Sequence, residues 1–251
     1  MDTLTEAALT LLIFLAAMLY ASVGHAGASG YLAAMALFGI APAVMKPSAL
    51  TLNLLVGAIA AWKFHRAGQF RFSLFWPFAL TSSPCAFIGG LVTIPGSWYR
   101  KIVGAVLVYS AWRLIQSAKF RDDGELTAPA VWLALLCGAG LGFLSGLTGV
   151  GGGIFLSPLL LFAGWANTRH TAGVSAMFIW VNSLAGLLGQ WFQQGPAVFR
   201  ALPRDIMFWA AAAIIGGWLG AAYGSRHLAS VRLRQLLGVV LIIAAVKFIF
   251  S

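Results

Sequence analysis

Apolar runs broken by short polar punctuation follow one another along almost all of the 251-residue chain. Ten can be marked, at about 5–23, 27–41, 47–63, 72–95, 99–118, 129–147, 151–165, 171–193, 205–225 and 233–250. A helix crossing a hydrocarbon core about 30 Å thick needs about 20 residues, and most of the runs approach that length. The runs 27–41 and 151–165 do not; each would rise only about 22 Å as a helix, and both follow glycine-rich stretches. Apolar residues run continuously rather than alternating, which excludes the strands of about 10 alternating residues found in membrane barrels. Backbone polar groups in lipid must be satisfied within the chain. The pattern therefore predicts an all-α polytopic membrane protein.

The two short runs start 124 residues apart, about half the chain, and other features recur at similar offsets. Gly24 and Gly27 match Gly149 and Gly152, Thr51 matches Ser175, and Gly89-Gly90 match Gly216-Gly217. Gly104 and Arg113 match Gly238 and Lys247. These offsets predict two repeats, 1–118 and 129–251, joined by a charged linker at 119–128. Five spans per half is an odd number, so the halves must lie upside-down relative to each other, as in many secondary transporters. With the N-terminus outside, ten Lys and Arg residues fall in cytoplasmic loops and six on the other side, a weak bias in the expected direction. Eight spans, with both short runs re-entrant, would give nine against seven; ten spans are preferred.

Composition narrows the function. Of all residues 61% are hydrophobic and 9% charged, whereas a soluble domain carries about 25% charged residues. A soluble enzyme and a nucleic-acid binder are therefore poor fits, although the net charge is +10. The six acidic residues, Asp2, Glu6, Asp122, Asp123, Glu125 and Asp205, all lie at or outside run ends. Carboxylate proton relays and carboxylate-lined cation sites are thus not expected, and an anionic substrate suits the electrostatics better. Cys85 and Cys137 show no metal-ligand spacing and are read as small buried hydrophobes. No metal, cofactor or catalytic residue is expected. The stretch around Asp2 and Glu6 lacks the basic region of a cleaved signal peptide. Gly138, Gly142 and Gly146, like Gly216, Gly220 and Gly224, form small-residue stripes of the kind that let helices approach closely.

Two motifs remain as candidate chemistry, Ser22–Gly30 and Leu147–Gly153. Each ends a long run and opens a short one. A helix that starts within the membrane directs unpaired N–H groups and its positive dipole end into the protein, a ready anion site. The same glycines also suit tight turns and close packing, and the sequence leaves both roles open. The polar residues that follow the short runs, Thr51 and Asn53 in one half and Ser175 and Asn182 in the other, are uncharged donors. They suit an oxyanion, or equally a bond to neighbouring backbone. Pro47 is read in the first turn of its helix, and Lys46 and Arg169 as interfacial anchors that snorkel outward. His25, inside the first motif, is a candidate anion donor or proton carrier; His170 is a second candidate. His65 and His227 lie in basic loops and are read as solvated. Gly27-Ala28-Ser29-Gly30 also fits the short pattern of intramembrane serine proteases, but nothing in the sequence brings a histidine to Ser29. No strand precedes the glycines, so no dinucleotide fingerprint is formed.

Thr148–Pro158 resembles the glycine-rich signature of the TauE/SafE sulfite exporter family, also called the toluene sulfonate uptake permease family. The runs Val23–Leu32 and Lys46–Asn53 resemble one branch of it, and the resemblance extends over nearly the whole chain. It implies a bacterial inner-membrane secondary transporter of small sulfur-containing anions, with no enzymatic activity and no bound cofactor. Gly24-His25-Ala26-Gly27 departs from the fuller triple-glycine run of many members, which bears on substrate identity.

The expected function is sulfite export by alternating access, with uptake of an organosulfonate or thiosulfate as the alternative and a passive anion channel as a weaker one. The expected anion site is formed by Gly24, His25, Ala26, Gly27, Thr51, Asn53, Thr148, Gly149, Val150, Gly151, Gly152, Gly153, Ser175 and Asn182. Trp62, Trp98 and Trp191 near run ends suit an interfacial belt or, equally, a homodimer contact.

Overall fold

The computed structural model describes residues 3–116 and 126–226. Those residues form ten helices and no strand: α1 (Thr3–Ala21), α2 (Ala28–Leu37), α3 (Pro42–Arg66), α4 (Phe72–Leu91), α5 (Gly96–Gln116), α6 (Val131–Thr148), α7 (Gly153–Phe162), α8 (Thr168–Gln194), α9 (Ala197–Arg200) and α10 (Ile206–Gly224). Each of the first nine predicted runs overlaps one helix. The tenth, 233–250, lies outside the described residues, as do most of the linker, His227, Gly238 and Lys247. Six helices, α1, α3, α4, α6, α8 and α10, are long and apolar enough to cross a membrane. α5 is long enough but carries Arg100, Lys101 and Arg113. α2 and α7 have only ten residues each, about 15 Å of rise.

Burial divides the six into layers. The most apolar stretches of α3 and α8 are 61% and 72% buried, against 33–39% for the other four. α3 and α8 are thus the central pair, and the outer helices turn large side chains such as Leu11, Leu80, Leu136 and Ile215 outward. That outward apolar face is what lipid requires. Gly57 faces Trp180 and Gly186 faces Leu50, so α3 and α8 cross antiparallel.

The glycine stripes have the packing role read from their spacing. Gly138, Gly142 and Gly146 of α6 lie on the carbonyls of Phe78, Ser82 and Ala86 of α4. Gly216 and Gly220 of α10 lie on those of Phe14 and Met18 of α1, and Gly224 on that of Ser22 just past its end. Both contacts run in the same chain direction, so each is a parallel helix pair. Space at these glycines is already filled by backbone, which cannot swing aside. Gly146→Ala is expected to lower stability by about 1–3 kcal/mol through overpacking. Gly140→Ala, on the same helix with open space at its Cβ, is expected to be neutral or slightly stabilising. Thermal unfolding of the two variants in detergent checks the contrast.

Three local expectations change. α3 begins at Pro42 rather than near Pro47, so Pro42 holds the first-turn place and Pro47 lies inside the helix. The carbonyl of Pro47 accepts the hydroxyl of Thr51 at 2.8 Å. Cys85 and Cys137 are free thiols only partly buried, on α4 and α6. Lys46 does not snorkel outward: it is 8% exposed, because its ammonium reaches the last turn of α4 and donates to the carbonyls of Gly89 and Val92 at 3.3 Å each. Arg169 is exposed, as expected of an anchor.

Candidate functional site

Each glycine motif is a turn from a long helix into a short one. α1 ends at Ala21 and α2 begins at Ala28; α6 ends at Thr148 and α7 begins at Gly153. Left-handed glycines make both turns: Gly24 and Gly27 in the first, Gly149, Gly151 and Gly152 in the second. Left-handed backbone disfavours residues with a Cβ, which accounts for glycine there. Gly27 and Gly152 stand at matched places, immediately before α2 and α7. Neither short helix has a side-chain cap on its first turn, so the leading N–H groups point beyond the helix without a side-chain acceptor.

The turns are tied to the central pair. Gly24 packs against the backbone of Ala172 near the start of α8, and Gly149 packs against Lys46 near the start of α3. Gly153 packs against Ile179 of α8. A Cβ on Gly151 would sit 2.9 Å from the Asn53 amide nitrogen and 3.1 Å from the Ser183 hydroxyl. The second turn therefore meets polar groups from both α3 and α8. Beside the first turn, His25 Nε2 lies 3.0 Å from Ser157 Oγ, which lies 2.8 Å from Ser175 Oγ. This chain joins the first motif to α7 and α8.

Asn53 and Asn182 are fully buried on α3 and α8, and the amide nitrogen and oxygen of each have no hydrogen-bond partner. The buried hydroxyls of Ser48, Ser145 and Ser183 are likewise unpartnered. A buried polar group left unsatisfied costs about 1–3 kcal/mol, so such a group in a native protein calls for an explanation. Ligand binding is one. Two other expected donors are already used: the hydroxyls of Thr51 and Thr148 donate to the carbonyls of Pro47 and Leu144. The carbonyls of Ala26 and Thr148 accept the hydroxyls of Tyr31 and Tyr99. Val150 is buried within the second turn. His170 sits in the first turn of α8, its N–H donating to the capping Asn167 side chain at 2.9 Å. Ser29, the imagined protease nucleophile, donates to Tyr20 at 2.9 Å.

Ser157 and Ser183 are additions to the residues picked from the sequence. A signal for Ser183 was present: Ser175, Asn182 and Ser183 fall at i, i+7 and i+8 on an otherwise apolar helix, one face of it. Ser157 carries no comparable signal, because its role depends on His25, 132 residues away.

Comparison with known proteins places this arrangement. The model of the sulfite exporter TauE/SafE family matches residues 9–248. The chain belongs to the TauE/SafE family. Among relatives, "Probable membrane transporter protein y4hK" of Sinorhizobium fredii is 40% identical over 250 residues, covering 98% of this chain and 99% of the relative. "Probable membrane transporter protein MJ0441" of Methanocaldococcus jannaschii is 35% identical over 107 residues, 41% of this chain and 38% of its own length. No solved structure matches the chain. This TauE/SafE member is a multi-pass membrane transporter and not an enzyme.

Proposed function

We propose that the protein is a bacterial inner-membrane secondary transporter that exports sulfite by alternating access. In this reading the anion binds near the midplane, between the starts of α2 and α7. Backbone N–H groups of Gly24–Gly27 and Gly149–Gly153 supply most of the binding. Asn53, Asn182 and Ser175 complete the shell, with His25 as anion donor or proton carrier. The observation that carries this reading is the pair of uncapped short-helix starts accompanied by fully buried, unpartnered amides on α3 and α8. Neutral donors and helix N-termini hold an oxyanion without burying a full countercharge.

The fold is read as ten spans in two inverted halves, and the helix contacts support the inversion. Exchange of the halves carries α1 onto α6, α3 onto α8 and α4 onto α10. The parallel pair α1 with α10 then maps onto the parallel pair α6 with α4. An axis in the membrane plane makes α3 and α8 cross antiparallel, as they do. Gly89 faces α6 and Gly90 faces α8; their matches Gly216 and Gly217 face α1 and α3. Rocking of one half against the other would expose the site alternately to the two sides.

Uptake of an organosulfonate or thiosulfate is the second reading. It is favoured by His25, which stands at the place of Val150 and makes the first half of the site chemically distinct. Proteoliposomes loaded with sulfite, sulfate, thiosulfate or a simple sulfonate, with and without an imposed pH gradient, separate the two. Selective, saturable sulfite movement that responds to the gradient is expected. Movement of a sulfonate or thiosulfate without sulfite would replace the first reading by the second, and movement of none of these anions would overturn both.

A further inference from the structure

Lys46 is a charged side chain buried within the helical core, 8% exposed on the apolar helix α3. Its ammonium donates to two neutral carbonyls, Gly89 and Val92, at 3.3 Å each. Among the described residues, no carboxylate is hydrogen-bonded to it. Two long bonds to neutral acceptors compensate a buried charge poorly, and an unpaired buried cation is costly. Its stem lies along the second glycine turn: a Cβ on Gly149 would sit 3.2 Å from Lys46 Cγ.

The helix junction does not need a cation there. In the other half Ala172 packs against Gly24 as Lys46 packs against Gly149. An alanine makes the same close approach of turn to central helix. Of the basic residues nearest that place in sequence, Arg169 is exposed and His170 is partly exposed. The buried charge is therefore particular to the second turn, an argument that rests on the inverted-repeat reading above.

We propose that Lys46 is the fixed positive charge of the anion path, a binding residue for the sulfur oxyanion at the Gly149–Gly153 turn. The ammonium exchanges its weak bonds to the α4 carbonyls for a shorter, charge-assisted bond to an anion oxygen. Its flexible stem permits that swing. Return to the carbonyls on release keeps the ammonium hydrogen-bonded when no anion is present.

Thermal unfolding of the full-length protein in detergent, followed while sulfite, thiosulfate, sulfate and chloride are titrated, tests this. The wild type is expected to be stabilised saturably by a sulfur oxyanion. Lys46→Ala is expected to remain folded without anion, since Ala172 makes the corresponding approach to Gly24 in the other half. Its affinity for the oxyanion is expected to fall about 10- to 100-fold, the size of a charged hydrogen bond, and Lys46→Arg is expected to stay within about threefold. Wild-type affinity in Lys46→Ala overturns the proposal, and so does a lower unfolding temperature with unchanged affinity, which would make Lys46 only a cap for α4. Should Lys46→Ala fail to fold, Lys46→Gln carries the same comparison. Oxyanion binding by a wild type that moves no anion in proteoliposomes would sink the transport reading and leave Lys46 its role. Absence of any anion-dependent shift in the wild type would overturn both.

Discussion

Gly151→Ala is expected to reduce anion flux by about 100-fold while leaving the protein folded, the size of loss that a misplacement of about 1 Å produces in a preorganised site. Gly151 is left-handed, with φ +81°, where a residue with a Cβ costs about 1–2 kcal/mol. That strain is tolerable for a helical domain. The new methyl, however, would sit 2.7 Å from Ile179 Cγ2, 2.9 Å from the Asn53 amide and 3.1 Å from the Ser183 hydroxyl. All three are side-chain atoms, so they shift rather than block folding, but the two polar groups move away from the turn they face. Gly164→Ala is the control: its φ is +67° and nothing lies within 4 Å of the added methyl. It carries the strain without touching the site and is expected to keep flux near wild type. Flux and unfolding temperature measured on both variants separate damage to the site from backbone strain. Full flux in Gly151→Ala would remove the second turn from the anion site.

His25→Gln is expected to abolish gradient-driven accumulation while downhill exchange survives within about tenfold, since glutamine keeps a donor and an acceptor but cannot take a proton. His25 reaches Ser157 at 3.0 Å, and Ser157 reaches Ser175 at 2.8 Å, so a proton on the imidazole changes who donates along that chain. A neutral ring can accept from Ser157, whereas in a protonated ring both nitrogens donate. Wild-type flux is therefore expected to depend on pH, and flux through the variant to be flat. Accumulation driven by a pH gradient in His25→Gln would show that the proton travels elsewhere.

The hydrophobic pattern carries the helices well because apolar run length is a local property. α2 and α7 are shorter still than their runs imply, about 15 Å of rise against about 22 Å, with Gly27 and Gly152 at the places matched by the repeat offset. The directions of side chains were less legible. Its place at a run end suggests Lys46 as an outward anchor, yet it is drawn inward by carbonyls more than 40 residues further on. Thr51 suits a site donor by residue type, yet its hydroxyl turns back to Pro47 one helical turn earlier. Thr148 does the same with Leu144. A hydroxyl on a helix can always reach its own backbone, so composition alone cannot tell a binding hydroxyl from one already satisfied. Asn53 and Asn182 fared differently because an amide on an apolar helix has no such easy local partner, and both are buried without one.

Counterflow of labelled sulfite in proteoliposomes tests the central claim most directly. Vesicles preloaded with unlabelled sulfite are expected to take up labelled sulfite transiently above its equilibrium level, saturably, because an alternating-access site returns loaded in both directions. Flux that rises linearly with concentration and shows no counterflow would contradict alternating access and make the protein an anion channel.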